Sequence, residues 1–569
     1  MKRLFALFML LLVFSTPALA QESAVSPAAY LPSDIPAYVE IRTDSAGLDA
    51  INQLTALGIQ LSGTPAPQTD AIDMLLTPAL GSIFPGIDVR KDVLPWLGDS
   101  IAIAQVNTNG SDLAQPGASQ LLVLPIKDTS AAQVFITKFI KAEPQSVADV
   151  NVYKINDTEL AMGTDVVWIS DTLTVDTFLK SEMFQRLTDN PRYQKVRAAL
   201  PANAVISAYI SGTFLASALA DMEASQPPSM PSFAAIVEAA LRIHPATSAA
   251  EDALLKFPGL DGIGLALQAN DGQIDATAIV SLNAQYPAPT LTTATAGTTL
   301  LKLIPGDSFS VFDSYDLSVT ALPLAALTYL GPAIGNIFSN VVADLNSGEL
   351  LPTPTPTPSP TPAPPLTADA IIALVQPILA QAQSTMGLSL DELYSLIDGE
   401  YALAIFPGAG PTLGAALYLQ SSDPQKIIDT LDHTSKLILT DPATGAQLVT
   451  PIHSTVDGVE VVIIDITGAS DSLALGILPN NVLFLTTEST LAKVIESASN
   501  QSPASPALAW RDSFGDAQEA LFYADLRTAD LYATRTVRNP PLPISALVGS
   551  FEVRDNGLFV LHLTATTGS

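Results

Sequence analysis

Apolar positions along this chain fall mostly in short runs. Many alternate with polar residues at period two, the mark of half-buried strands. In the first half these runs read as strands at 37–42, 100–106, 119–127, 150–155, 159–163, 165–170, 204–211, 263–269 and 273–282. The second half offers 308–314, 400–406, 414–420, 459–466, 474–478, 481–486, 519–526, 549–554 and 557–565. Helices carry start signals between them. Ser130 and Asp423 are candidate N-caps, Pro424 suits a first helical position, and Asn190-Pro191 opens a helix over 191–200. A helix over 131–141 puts Val134, Phe135, Lys138 and Phe139 near one face, and one over 173–180 turns Leu173, Val175, Phe178 and Leu179 toward the sheet. Asn270-Asp271-Gly272 and Asp555-Asn556-Gly557 read as hairpin turns, because Asp-Gly and Asn-Gly adopt positive φ readily.

The order strand, helix, strand, strand, helix, strand within 119–211 resembles a ferredoxin-like split βαβ. The class is α+β, with mostly antiparallel sheets and helices packed on one face. Segments of the first half then recur in the second in the same order. AIDMLLTPAL (71–80) matches AIIALVQPIL (370–379), with Pro78 over Pro377. LGDSIAIA (97–104) resembles IDGEYALA (397–404), and VVWISDTLTVDTFLKS (166–181) matches VLFLTTESTLAKVIES (482–497), with Trp168 over Phe484. NAVISAYIS (203–211) matches EALFYADLR (519–527), and NDGQIDATAIV (270–280) matches DNGLFVLHLTA (555–565). The collinearity predicts two homologous halves, 21–300 and 301–569. Two arrangements fit, separate sheets or one pseudo-symmetric sheet. The proline-rich stretch 351–366 falls inside the second half, where the first has the short SGTPAPQT (62–69). It reads as an inserted Pro/Thr loop in extended polyproline II.

The N-terminus carries an address. Lys2 and Arg3 precede an unbroken apolar run, Leu4 to Phe14, and Ala18-Leu19-Ala20 supplies a cleavage site. This is the pattern of a secretory signal peptide over 1–20, cleaved at Ala18 and Ala20, with a mature chain from near Gln21. A lipid anchor would need a cysteine after that site. The uncharged run 317–343 is interrupted by Pro323, Gly331, Pro332, Gly335 and Asn340, and reads as buried helix rather than a membrane span.

Composition narrows the chemistry. The chain of 569 residues carries 25 Lys and Arg against 56 Asp and Glu, a net charge of −31. That balance disfavours nucleic acid and anionic membrane surfaces as partners. There is no cysteine, so disulfides, thiolate metal sites and cysteine nucleophiles are excluded. Hydrophobic residues are 48% and charged residues only 14%. With no disulfide, each half must be held by core burial alone, at a size that sustains it.

No nucleophile elbow, phosphate-binding loop or zinc-protease motif occurs. His433 follows Asp432 on a helix, where neighbours point about 100° apart and make no dyad. His453 falls in a loop, His562 in the last strand, and no histidine, His244 included, has a counterpart in the other half. Acidic residues are plentiful, but spacing singles out no pair of catalytic carboxylates. Asp344 to Glu349 lacks the ligand set of a calcium loop. Asn109, Asn156 and Asn500 sit in N-glycosylation sequons. No catalytic, cofactor-binding or metal-binding residue is assigned, and no cofactor is expected. The most distinctive motif is Pro95-Trp96-Leu97-Gly98-Asp99, before the strand at 100–106. Trp96 is expected to anchor the turn in the core while Gly98 and Asp99 redirect the chain, so Pro95, Trp96, Gly98 and Asp99 form a structural motif.

These residues resemble a known family. They are L-P-x-D-x-x-x-Y-x-E (Leu31 to Glu40), P-W-L-G-D (Pro95 to Asp99), K-D-x-x-A-A (Lys127 to Ala132), V-x-V-Y (Val150 to Tyr153) and L-P-x-N-A-x-x-x-A-Y (Leu200 to Tyr209). The set is similar to the bacterial family catalogued as domain of unknown function 3352, made of exported or membrane-anchored proteins. The resemblance covers 31–282 well and the second half more loosely. It implies an extracytoplasmic location and lends no catalytic residue. The expected function is that of an exported, non-enzymatic protein, a binding or cell-envelope component. The alternatives are a carrier of an apolar ligand such as lipid, and a carboxylate-based extracellular hydrolase.

Overall fold

Alternating and fully apolar runs become strands throughout. The computed structural model describes residues 26–62, 70–81, 83–106, 119–147, 150–155, 158–170, 185–214, 260–270, 272–282, 299–315, 399–408, 412–430, 449–466, 471–499, 506–507, 510–511, 520–534, 544–554 and 558–567. The signal segment with Ala18 and Ala20, the stretch 317–343, the loop 351–366, the helix at 173–180, His244 and His433 lie outside the described residues.

Among the described residues, twenty strands build one sheet. The first ten are β1 (Ala37–Arg42), β2 (Ser100–Val106), β3 (Ser119–Pro125), β4 (Gln145–Val147), β5 (Val150–Ile155), β6 (Thr158–Met162), β7 (Val166–Ser170), β8 (Ile206–Ser211), β9 (Leu260–Asn270) and β10 (Gln273–Leu282). They pair antiparallel in the order β4-β5-β6-β7-β3-β2-β1-β8-β9-β10. The other ten are β11 (Ser310–Ser314), β12 (Tyr401–Pro407), β13 (Leu413–Gln420), β14 (Val449–Val456), β15 (Val459–Ile466), β16 (Leu473–Leu478), β17 (Val482–Thr487), β18 (Ala520–Asp525), β19 (Ile544–Arg554) and β20 (Leu558–Thr567). Their order, β14-β15-β16-β17-β13-β12-β11-β18-β19-β20, is that of the first set strand for strand. One further antiparallel ladder, β10 with β20, joins the two sets.

The ladder register shows which positions correspond. In the first set Ala102 pairs with Val123, and Val123 with Trp168. In the second, Ala402 pairs with Tyr418, and Tyr418 with Phe484. Trp168 and Phe484 therefore occupy the same place in their ladders. Across the seam, Thr277 faces His562, and the nine pairs run from Gln273–Thr566 to Ser281–Leu558.

Six helices are used below: α1 (Ser45–Ser62), α2 (Ala71–Gly81), α3 (Thr129–Phe139), α4 (Pro191–Ala199), α5 (Glu488–Ser499) and α6 (Leu526–Thr534). In the first set they cover both faces of the sheet, not one. Ala102, Ala104, Leu121, Val123 and Trp168 point to a face shared with Tyr193, Val196 and Leu200 of the α4 region. Ile101, Ile103, Leu122, Leu124, Val167 and Ile169 point to the opposite face, under α1, α2 and α3. The reason is legible in β2, β3 and β7, whose successive side chains are apolar on both sides, so each face needs cover. In the second set α5 covers the first face through Leu491, Val494 and Ile495. Ile427 and Ile428, in the helical turn at 424–430, pack on the other with Val462, Ile464, Leu475 and Leu483.

Local details depart from the sequence reading in four places. The N-cap of α3 is Asp128, whose side chain accepts from the Ala131 N–H. Ser130 lies two residues further on, inside the first turn, where Asp128 already accepts from the Ala131 N–H. Val134 turns to solvent, 69% exposed, and the buried residues of α3 are Ala132, Phe135 and Ile136. His453 lies in β14 rather than a loop, and Pro451 beside it fits an edge strand where a missing N–H faces outward. Finally, β8 does not return beside β3 as a ferredoxin-like order requires. β1 and β2 fill that gap, since each finds partners on both edges. Asn190 and Asp423 cap their helices as their sequences suggest. Gly272 has a φ of 77°, the left-handed turn that closes β9 on β10.

Candidate functional site

The turn before β2 is built around Trp96. A π-helical turn over Val89–Val93 starts at Asp88, whose side chain accepts from the Lys91 N–H. It delivers Trp96 inward, where Nε1–H donates to the Asp92 carbonyl at 2.7 Å. The indole packs on Phe135, centroids 5.4 Å apart, beside Phe84 and Phe139. At 1% exposure it has no ring face open to a ligand. The Gly98 N–H donates to the Pro125 carbonyl at 2.8 Å, and a Cβ at Gly98 would stand 3.1 Å from the Pro125 Cβ. The Gly98 carbonyl accepts from the Thr43 hydroxyl at 2.7 Å, and the Asp99 carbonyl from the Thr43 N–H at 2.8 Å. Pro95 and Asp99 are exposed. The four motif residues thus sit together, tying β1, β2 and the end of β3.

A polar cluster that sequence spacing does not reveal lies on the other face. Ser26 Oγ donates to Glu40 Oε2 at 3.0 Å, and Tyr38 OH donates to the same oxygen at 3.1 Å. The Tyr38 proton is thereby used, so the 2.9 Å contact with Tyr193 OH is donated by Tyr193. The Tyr193 ring meets Tyr38 and Tyr209 edge to face, at 5.8 and 5.3 Å. Burial pushes all three phenols up, Tyr209 to about 12, so they stay protonated donors at any physiological pH. Next to them Asp261 pairs with Arg192 at 3.3 Å and Lys195 at 3.7 Å. Its burial raises the carboxyl pKa, and the two cations oppose that rise. No short pattern links Ser26, Tyr38, Glu40, Tyr193, Tyr209 and Asp261. The sheet and α4 assemble them from distant segments. Glu40 pairs with Ala102 as Asp313 pairs with Ala402, so each set holds a carboxylate at the same position of its first strand.

At the seam, Thr277 Oγ1 lies 3.2 Å from His562 Nδ1. Burial lowers the His562 pKa, Arg554 adds to the fall and Glu552 opposes it. Ser550 faces His562 across the ladder, but its buried hydroxyl makes no hydrogen bond. A small cavity with room for about one water molecule lies among Leu301, Val311, Leu521, Tyr523 and Val548, with Arg511 at its wall. Among the described residues no group of three or more His, Cys, Asp or Glu is placed to hold a metal ion. No helix among them is long and apolar enough to cross a membrane.

Solved structures similar to this chain include three crystal forms of TP0453. Forms III and I match at 11% identity and TM-score 0.23, and form IV at 10% and 0.24. Each match covers 46% of this chain and 81–82% of the other. No curated protein matches. The sequence profile of a family described as "Protein of unknown function (DUF3352)" matches residues 4–550. With nearly its whole length inside that match, the chain belongs to the DUF3352 family.

Proposed function

We propose that this is an exported, non-enzymatic protein of the cell envelope or surface, built by duplication of a unit spanning 21–300 and 301–569, that works by binding a large partner. The observation that supports this reading best is the single sheet formed by two strand sets of identical order. At about 4.8 Å between strands, twenty strands offer a continuous framework on the order of 90 Å across. The polar cluster around Tyr38 and Asp261 supports the same reading, because its members answer one another. Ser26, Glu40 and the tyrosines bond one another, and Asp261 answers two cations. Asp73 and Asp261, the carboxyls that burial raises, sit in separate ion-paired clusters with Arg90 and with Arg192. A carboxylate hydrolase needs two that face each other.

The reading of an apolar carrier draws on the cavity beside Arg511. With room for about one water molecule, it is far below the roughly 300–1,000 Å³ of ordinary ligand pockets, which favours the binding-surface reading. The test has two arms. Fractionation of the native host should place a mature chain starting near Gln21 outside the cytoplasm, and deletion of 2–20 should retain the protein inside. A broad hydrolase screen of the purified protein should give no turnover. Turnover abolished by a single substitution, or cytoplasmic retention of the intact chain, overturns the reading.

A further inference from the structure

The ladder that joins the two strand sets pairs β10 with β20, and these strands are each other's counterparts. The match of NDGQIDATAIV (270–280) with DNGLFVLHLTA (555–565) sets Thr277 over His562. The ladders give the same correspondence. Tyr209, Gly264 and Ile279 pair in series across β8, β9 and β10, as Tyr523, Val548 and Thr564 do across β18, β19 and β20. Thr277 and His562 also face each other across the seam. The pairs on either side, Asp275 with Thr564 and Ile279 with Val560, are exchanged by that correspondence. Such a ladder is self-complementary, the register of a two-fold interface between identical subunits. Here the pseudo-two-fold axis runs through Thr277 and His562 of one chain.

We propose that this joint is exchangeable, and that its other occupant is a second copy of this chain. β10 of one copy pairs with β20 of the other, twice, in a reciprocal dimer that repeats each seam contact. Those contacts are the ladder pairs and the packing of Leu267, Ile274 and Ala276 with Ile544 and Ala565. The chain on each side of the joint is tied to its own set. The Leu282 carbonyl accepts from Lys195 Nζ at 2.6 Å, and the Thr299 N–H donates to Glu400 Oε2 at 3.0 Å. Residues 283–298 connect them. A connection this short holds the joint together at an effective concentration on the order of mM, so a second copy competes as its own concentration nears that value. Side chains select which strands meet. Thr564 Oγ1 donates to Asp275 Oδ1, and Thr277 meets His562. β10 paired with β10 about the same axis would set the buried Asp275 carboxylate opposite Ile279 and take that hydroxyl away. Exchange therefore joins β10 to β20 and not β10 to itself. It depends on neither export nor the bound partner, so its failure leaves the proposed function standing.

The absence of cysteine makes the test clean, because every introduced thiol is unique. Full chains carrying Thr277→Cys and His562→Cys are mixed in denaturant, refolded together and oxidised, and the linked peptides are read by mass. Neither chain alone can close a disulfide across its own seam. At about 0.1 mM protein, on the order of a tenth of the chains should become dimers linked 277–562, and tenfold dilution should cut that share roughly tenfold. Links 277–277 and 562–562 should be rarer than 277–562. Gln273→Cys with Thr566→Cys, an opposed and half-buried pair nearer the end of the ladder, repeats the experiment should the central pair disturb folding. Linkage no more frequent than that between His562→Cys and the solvent-open Val134→Cys would overturn the proposal. A majority of 277–277 or 562–562 links would overturn it as well, by showing strands that pair with themselves.

Discussion

Ile103 and Leu403 hold equivalent positions in two ladders of identical order, and one is buried where the other is half open. The strands are not the source of the difference, since both β2 and β12 present apolar side chains on both faces. What differs is the layer above. In the first set α1, α2, the π-helical turn and α3 seal the face, with Trp96 wedged between Phe135 and the chain turn. In the second, the described cover is the turn at 424–430, set over β15 to β17. A sheet of this kind thus sets where side chains point, and the connecting segments decide which become core.

The strongest way to break this contrast is Trp96→Ala. Removing a fully buried indole should cost about 3–5 kcal/mol, read as a fall in unfolding midpoint by denaturant titration. A loss under 1 kcal/mol would mean that the wedge does not hold the face. Next comes the matched pair. Ile103→Ala should cost about 2–4 kcal/mol and Leu403→Ala about 1 kcal/mol, so equal losses would erase the distinction between the two faces. Gly264→Ala tests the other side of the first set. Its new Cβ would run into Val196 and Leu200, at a cost of about 1–3 kcal/mol. The corresponding position in the second set already carries Val548, since Gly264 pairs with Tyr209 as Val548 pairs with Tyr523. Tyr38→Phe should cost about 1 kcal/mol by leaving Tyr193 and Glu40 one partner short. A thermal shift indistinguishable from wild type would show the tyrosine network to be incidental.

The smallest effect is at the seam. Burial holds the folded pKa of His562 below its ordinary value. Between that ordinary value, near 6.5, and the lower folded one, the unfolded chain binds more protons. Stability is therefore full above about pH 6.5 and falls as pH drops through that window. His562→Gln should flatten this part of the pH profile, and an unchanged slope would assign it to other groups.

Much of the strand pattern is legible in the sequence because it obeys local rules. β2, β5, β10 and β15 were bounded by apolar runs and by turns such as that at Gly272. β14 is not legible, since Pro451, His453, Ser454 and Thr455 dilute its pattern and its apolar support comes from β15 across the ladder. The match of 203–211 with 519–527 is displaced by two residues from the ladder register, in which Tyr209 corresponds to Tyr523. A shift of two preserves the inward face of a strand, so alternation cannot detect it. The tyrosine cluster is invisible for another reason. Tyr38 and Tyr193 stand 155 residues apart, and only the closed sheet brings them together. Trp96 was conspicuous because it was the one bulky residue in a turn sequence.

The seam also has a consequence in time. Among the described residues all other ladders close within their own set of ten strands, whereas Thr277 waits for His562, 285 residues later. Chains are made N-terminus first, so a completed first set presents β10 as a bare edge until β20 arrives. Such an edge invites pairing with foreign chains. The residues of β20, made long after β10, are what withdraw it, and removing this short stretch would leave the first set with a template for aggregation along β10.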